Sequence, residues 1–234
     1  MSTLGLSRRT PDAYRVGMAT RFTGFTADAF GFYADLELDN SKAFWADNKA
    51  RYEAAVAGPM SDLLEDLEAE FGAGRLFRPY RDVRFSADKS PYKEHQGGYV
   101  EVGPACGYYV QVSSGGLMVG AGWYASTGEQ VARYREAIDA GLAVKALRKE
   151  LAGLRRAGME IGGDQVKTRP RGVPADHPEL DLLRHRTVVV SASFPYDEPW
   201  LGTRTAGTKV RNAWRRTRPL VEWLADNVTG RGEA

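Results

Sequence analysis

The chain has 234 residues, of which 43% are hydrophobic and 26% are charged, and its formal net charge at pH 7 is +2. These proportions are ordinary for a globular protein, and they exclude collagen-like, coiled-coil and largely disordered chains. The one cysteine, Cys106, excludes an internal disulfide and a cysteine-rich zinc site, and no run approaches the ~20 apolar residues of a membrane-spanning helix.

The beginning of the chain shows no apolar periodicity. An Arg-Arg pair at residues 8–9 is similar to part of a twin-arginine export signal, but no apolar segment follows it. We therefore expect residues 1–17 to be a disordered leader or the product of an overlong start site, and residues 18–230 to form one domain. A lone cysteine fits a reducing compartment, so we expect a cytoplasmic protein.

Three helices are predicted in the first third of the chain. Thr26 can cap the first helix, and the second begins at Asn40 or Ser41. The Gly-Pro pair at residues 58–59 is expected to break or kink the second helix. Residues 60–71 then place apolar side chains at the i, i+3, i+4, i+7 spacing of a helix that faces a core.

The middle of the chain has the pattern of antiparallel strands. Strands are predicted at residues 98–102, 108–112 and 117–124, and a Ser-Ser-Gly-Gly turn joins the last two. A short extended piece is predicted around Val83 and Phe85. The glycines at positions 120 and 122 either mark bends or let another molecule approach the backbone closely.

Helical spacing returns in the second half of the chain. Helices are predicted at residues 129–139, 142–156 and 210–228, and Pro219 is expected to kink the last of them. A buried strand is predicted at residues 187–194. The order of these elements predicts an α+β fold with N-terminal helices, a central antiparallel sheet and further helices packed on the sheet.

Residues 81–93 read RDVRFSADKSPYK and are preceded by FWADNKARY at residues 44–52. Together with Pro-Arg-Gly at residues 170–172 and His-Pro at residues 177–178, these segments resemble the conserved-hypothetical family catalogued as domain of unknown function 2461. The resemblance extends from Phe22 to about residue 228. It informs the fold and implies no activity, because the family has no established biochemical function.

The segment from Arg81 to Lys93 concentrates charge. Its four cations, two carboxylates and one phenol are Arg81, Arg84, Lys89, Lys93, Asp82, Asp88 and Tyr92. Arginine binds carboxylate or phosphate through two hydrogen bonds and lysine adds a point charge, so the segment predicts an anion site. Alternatively, the two aspartates neutralise the arginines and fix the loop to the sheet. The two interpretations are compatible.

Other side chains are candidates for the walls of such a site. Trp45, Asn48 and Tyr52 share one helical face, which either borders the site or packs into the core. A concave site over the sheet would be walled by Trp45 or Tyr124. His177 is the candidate general base if the protein is an enzyme, because histidine titrates near neutral pH. Its alternative role is that of a loop histidine bonded to backbone.

No metal or cofactor is expected from the sequence. No two histidines lie at metal-ligand spacing, and residues 202–209 resemble a phosphate-binding loop but place Thr before Lys, the reverse of the required order. The glycines near residue 120 lack the third member of a dinucleotide fingerprint. A catalysed reaction is therefore left open.

Three functions remain, in order of preference. The first is binding of a small anionic molecule, bearing phosphate or carboxylate, at the Arg81–Lys93 segment, with or without catalysis. The second is a protein-interaction or structural role in which a basic surface docks an acidic partner, including another copy of the chain, so an oligomer is left open. The third is nucleic-acid binding through the basic C-terminal helix, which the 11 acidic and 3 basic residues at positions 28–70 disfavour.

Overall fold

The structure is a computed structural model that describes residues 21–82, residue 84 and residues 88–229. The leader predicted for residues 1–17 lies outside these ranges. So do Val83 and Phe85, around which the short extended piece is predicted.

The N-terminal helices form as the sequence predicts, with two differences. Thr26 precedes the first helix, but its side chain makes no capping hydrogen bond, and the second and third helices are joined differently. The N-terminal helices are α1 (Ala27–Leu38), α2 (Lys42–Tyr52) and α3 (Gly58–Phe71). The Ser41 hydroxyl caps α2 by accepting a hydrogen bond from the backbone N–H of Phe44 at 3.1 Å. A π-helical turn, Glu53–Ala57, connects α2 to α3, so the chain stays helical at the expected break. Pro59 lies in the first turn of α3, where its missing N–H is tolerated.

Six strands form one antiparallel sheet. They are β1 (Gly74–Leu76), β2 (His95–Gly103), β3 (Cys106–Ser113), β4 (Gly116–Trp123), β5 (Glu160–Gly162) and β6 (Val188–Pro195), in the spatial order β1-β2-β3-β4-β6-β5. The hairpin between β3 and β4 is the predicted one. The two edge strands, β1 and β5, have three residues each and too little sequence to show an alternating pattern.

The remaining helices are α4 (Gly128–Asp139), α5 (Leu142–Arg156), α6 (Leu180–Leu183) and α7 (Thr205–Leu224). Thr127 and Gln130 form a capping box at the start of α4. The longest helix, α7, continues past Pro219 without a break and leads into a π-helical turn, Ala225–Thr229.

The two faces of the sheet have different surroundings. Residues such as Val110 of β3 and Val119 of β4 are fully buried beneath the helices. The indole N–H of Trp214 in α7 donates to the backbone carbonyl of Tyr109 at 3.1 Å and fixes this helix to β3. The alternate residues of the same strands point to the other face, which we call the open face. The predicted α+β class, with helices packed on an antiparallel sheet, is confirmed.

Candidate functional site

The open face contains a cavity of about 330 Å³. Its lining is mostly apolar and aromatic and comes from five segments of the chain: Phe77, Tyr99, Gly107, Tyr108, Tyr109, Met118, Gly120, Ala121, Gly122, Tyr124, Val189, Val190 and Ser191. Its volume lies at the lower end of the range of small-molecule sites, roughly 300–1,000 Å³. Tyr124, a predicted wall residue, lines it.

The floor of the cavity is hollow because several residues on the open face are glycines. Gly107 and Gly122 are register partners, and Gly120 is the partner of Tyr109. Gly122 has a φ of +136°, a backbone conformation that residues with a side chain rarely adopt. All three glycines are buried, and a Cβ at Gly107 or Gly122 would lie 2.0 or 2.2 Å from a backbone carbonyl oxygen of the neighbouring strand, so no side chain from these positions enters the cavity.

One wall of the cavity is a pair of stacked rings. Phe77, which follows β1, lies against Tyr99 of β2 with ring centroids 4.9 Å apart and planes 9° apart. The backbone N–H of Phe77 donates to the carbonyl of Gly97 at 2.9 Å, which extends the pairing of β1 with β2. The wall is thus held by backbone hydrogen bonds as well as by ring packing.

Gln96 holds Phe77 from the helix side of the sheet. Its amide nitrogen donates to the carbonyls of Phe77 and Gly97, both at 2.8 Å, and its amide oxygen accepts from the Tyr52 hydroxyl at 2.5 Å. Burial raises the pKa of Tyr52 to about 12, so its hydroxyl remains a donor at neutral pH. Tyr52, predicted as a site residue, therefore supports the cavity wall from below.

Lys93 lies over the ring of Phe77, which is one of the residues that line the cavity. Its ammonium nitrogen is 5.3 Å from the centroid of the Phe77 ring. Burial and the nearby Arg78 guanidinium lower the pKa of Lys93, since both disfavour its charged form. No carboxylate of the residues that the structure describes forms an ion pair with it. Lys93 therefore brings positive charge to the aromatic wall of the cavity.

The two arginines of the segment pair with aspartates, as the second interpretation expected. Arg84 donates to both carboxylate oxygens of Asp82 at 2.9 and 2.7 Å, and this pair is exposed. Arg81 is more buried and forms an ion pair with Asp88, and its guanidinium lies 3.9 Å from Glu94. In this segment Arg81 and Arg84 are thus paired with aspartates, whereas Lys93 forms no ion pair with a carboxylate of the described residues. We call Arg78, Arg81 and Lys93 the cationic rim.

The aromatic residues near α2 form a packed cluster on the helix side of the sheet. Trp45 stacks on Tyr92 with centroids 4.2 Å apart and planes 7° apart, and it contacts Tyr52 at 4.9 Å. Asn48 donates to the carbonyl of Phe44 one turn earlier in its own helix. The stacking of Trp45 on Tyr92 thus anchors the end of the Arg81–Lys93 segment, part of the loop between β1 and β2, to α2. Trp45, unlike Tyr124, does not line the cavity.

Three remaining side chains are placed as follows. Lys89 is exposed on the loop. His177 accepts a hydrogen bond from the backbone N–H of Glu179 at 3.1 Å, and its other ring nitrogen is 3.3 Å from Asp139 at the end of α4. Cys106 is buried, and burial raises the pKa of its thiol to about 12. His177 is thus held between a backbone group and a carboxylate, away from the residues that line the cavity.

Two residues near the candidate site, His95 and Asn40, were not predicted as site residues from the sequence. His95 begins β2 on the open face, and burial together with Lys93 and Arg81 lowers its pKa, so it is neutral at pH 7. Asn40 bonds both backbone groups of Tyr92 at 3.1 Å and fixes the end of the loop. For His95, the signal was its position three residues before the strand predicted at residues 98–102.

The comparisons with known proteins identify a family and nothing closer. A model of the conserved hypothetical proteins designated DUF2461 matches residues 28–223, so the chain belongs to that family. No curated protein and no solved structure gives a match. No helix in the described ranges is long and apolar enough to cross a membrane. The same residues include no group of three or more His, Cys, Asp or Glu that could hold a metal ion.

Proposed function

We propose that this member of the family binds a small anionic molecule, bearing a phosphate or a carboxylate, at the junction of the cationic rim and the cavity. The observation that carries the proposal is Lys93, a partly buried cation whose ammonium group lies over Phe77, a residue that lines the cavity. Removing a cation from water has a cost that an anionic ligand would offset through charge-assisted hydrogen bonds. Arg78 lies close enough to Lys93 to add to the positive potential.

The paired arginines have a supporting role in this proposal. Arg81 joins the loop to itself through Asp88, and its backbone N–H donates to the carbonyl of Pro91 at 2.9 Å. The backbone N–H of Lys93 donates in turn to the carbonyl of Pro79 at 2.8 Å. These bonds hold the two sides of the loop together and give Lys93 a fixed position over Phe77.

The contacts of α7 favour this function over nucleic-acid binding. Three of the arginines that make this helix basic, Arg211, Arg215 and Arg218, converge on the single carboxylate of Glu70, with nitrogen–oxygen distances of 3.6, 2.6 and 3.1 Å. Because these cations already share an intramolecular partner, less of the charge of α7 is available to a phosphate backbone or an acidic protein. The protein-interaction and nucleic-acid hypotheses are therefore less well supported.

The test is a thermal-shift titration with inorganic phosphate, citrate and benzoate on the wild type and two variants. Lys93→Met removes the charge and keeps an aliphatic chain over Phe77. Lys209→Met is the matched control, since its ammonium lies 4.7 Å from the Trp200 ring centroid on the helix side. A ligand at 100 times its Kd stabilises the folded state by about 2.7 kcal/mol. That corresponds to a rise of roughly 5–11 °C in Tm for a chain of this length.

We expect at least one anion to raise the Tm of the wild type and of Lys209→Met, and to have little effect on Lys93→Met. An equal rise in all three proteins would contradict the proposal, because the anion would then bind elsewhere. The absence of any anion-dependent rise in the wild type would also contradict it.

A further inference from the structure

Tyr109, one of the residues that line the cavity, has its ring turned toward β2. A Cβ atom added to Gly97 would lie 2.4 Å from the Tyr109 hydroxyl and 2.8 Å from its ring, so the phenol lies across Gly97. The hydroxyl donates to Gln111 at 2.8 Å, which fixes this orientation. Gly97 and Gly120 belong to the strands on opposite sides of β3. The ring of Tyr109 therefore lies over β2, whereas Gly120, which also lines the cavity, is on the other side of β3.

The lining suits a flat apolar group. Gly107, Gly120 and Gly122 line the cavity without side chains that project into it, which leaves room for a planar ring beside the aromatic wall. Phe77 and Tyr99 stand on one side, and Met118 and Val189 add further apolar surface. A charged or strongly hydrated group would gain little here, because its hydration would be lost and few polar atoms could replace it.

Charge lies at one end of this floor. Phe77 both lines the cavity and carries the Lys93 ammonium over its ring, so a group that leaves the cavity past Phe77 meets a cation. The neutral imidazole of His95, whose pKa is lowered partly by Lys93, adds a hydrogen-bonding group nearby. The cavity and the cationic rim are therefore complementary to a molecule that is apolar and flat at one end and anionic at the other.

We propose that the ligand is a planar aromatic acid, with its ring over Gly120 and its carboxylate or phosphate at Lys93. This inference rests on the anion binding proposed above and adds the chemical class of the rest of the ligand. The cavity volume of about 330 Å³ accommodates one or two fused rings, in keeping with the lower end of the range for small-molecule sites.

The test uses a matched pair of compounds, 2-naphthoate and 2-naphthamide, which share the ring system and differ in charge. Their binding is measured by isothermal titration calorimetry at low and moderate salt, with inorganic phosphate as an anion without a ring. Ser191→Trp places an indole in the cavity, and Ser193→Trp places one on the same face of the same strand, outside the cavity lining. Lys93→Met and Lys209→Met separate the effect of charge at the site from charge elsewhere.

We expect the wild type to bind one equivalent of 2-naphthoate about tenfold more tightly than 2-naphthamide, the difference typical of one charge-assisted hydrogen bond. Ser191→Trp should bind neither compound, whereas Ser193→Trp should bind both as the wild type does. Lys93→Met should bind the two compounds equally, and Lys209→Met should behave as the wild type does.

The outcomes separate this inference from the proposed function. If Lys93→Met abolishes phosphate binding but Ser191→Trp leaves 2-naphthoate binding unchanged, the anion site stands and the aromatic class is wrong. If the wild type binds both compounds equally and Ser191→Trp binds neither, the cavity binds aromatic rings. The proposed anion binding is then wrong, and so is the proposal that the ligand is an aromatic acid. If Ser191→Trp does not fold, Gly97→Val replaces it, since its Cβ would lie 2.4 Å from the Tyr109 hydroxyl and must displace this phenol, which lines the cavity.

Discussion

Substitution of Tyr52 by Phe tests whether the hydrogen bonds beneath the cavity wall hold the protein together. The change removes one hydroxyl and keeps the ring that packs at 4.9 Å from Trp45 and 5.6 Å from Phe32. The loss is therefore confined to the hydrogen bond to Gln96, whose side chain is 1% exposed. Its amide oxygen would be left buried without that donor.

The expected cost follows from the burial of that oxygen. A buried acceptor without a partner costs about 1–3 kcal/mol of folding free energy. For a chain of this length each kcal/mol corresponds to about 2–4 °C, so the Tm of Tyr52→Phe should fall by roughly 2–12 °C. Urea unfolding followed by tryptophan fluorescence gives the free energy directly. The control is Tyr80→Phe, because Tyr80 is 52% exposed and its hydroxyl has no hydrogen bond within the described part of the chain.

The comparison of the wild type with Tyr52→Phe also gives a prediction for alkaline pH. Burial raises the pKa of Tyr52 from 10.0 to about 12, so the folded state keeps a proton there that the unfolded state loses. Below pH 10 this group adds no pH dependence. Between pH 10 and 12 it should lower the stability of the wild type by about 1.4 kcal/mol per pH unit, and this contribution is absent in Tyr52→Phe. Tyr109, whose pKa is also about 12, contributes equally to both proteins.

Two results would refute this reasoning. The first is a Tyr52→Phe variant no less stable than Tyr80→Phe at pH 7, which would mean that the Gln96 oxygen finds another partner at no cost. The second is a stability difference between wild type and Tyr52→Phe that does not shrink above pH 10.

Two further pairs of variants test the charges at the surface. Glu70→Gln should lose about 1 kcal/mol at pH 7 by urea unfolding, while Glu68→Gln, an exposed neighbour on α3, should lose almost nothing. The Arg215 guanidinium lowers the pKa of Glu70 in the folded state. The stabilisation from Glu70 is therefore fully present above the unfolded pKa of about 4.3 and is lost as the pH falls through the folded pKa. The difference in unfolding free energy between the wild type and Glu70→Gln should accordingly shrink as the pH is lowered below about 4.3. Arg84→Ala should leave the midpoint of urea unfolding unchanged, since the Arg84 side chain is 76% exposed. Asn40→Ala should cost about 1–3 kcal/mol because the backbone N–H and carbonyl of Tyr92 lose their partner.

The long elements were predictable from sequence because their patterns repeat. In residues 60–71 and 210–228 the apolar spacing extends over three or more turns, and the strands around the turn at residues 113–116 alternate clearly. The edge strands β1 and β5 could not be predicted in this way, since three residues define no period. Their pairing depends on β2 and β6, which supply the hydrogen bonds.

The candidate site was only partly predictable for a different reason. The cluster of charges at residues 81–93 is visible in the sequence, but composition does not show that Arg84 pairs with Asp82, nor that Lys93 forms no ion pair with a carboxylate of the described residues. The glycines of β4 were recognisable as positions of either a bend or a close approach to the backbone. The aromatic wall was not, because Phe77 and Tyr99 meet only through the register of β1 against β2.

The cavity and the helix side of the sheet are mechanically linked through one side chain. Gln96 points toward the helices, where it meets Tyr52, yet its amide also holds the backbone of Phe77, whose ring faces the opposite side and lies beneath Lys93. A change in the aromatic cluster should therefore reach the open face by loosening Phe77. It follows that Tyr52→Phe should weaken 2-naphthoate and 2-naphthamide together, whereas Lys93→Met should weaken only the acid. The ratio of the two affinities then distinguishes a displaced wall from a lost charge.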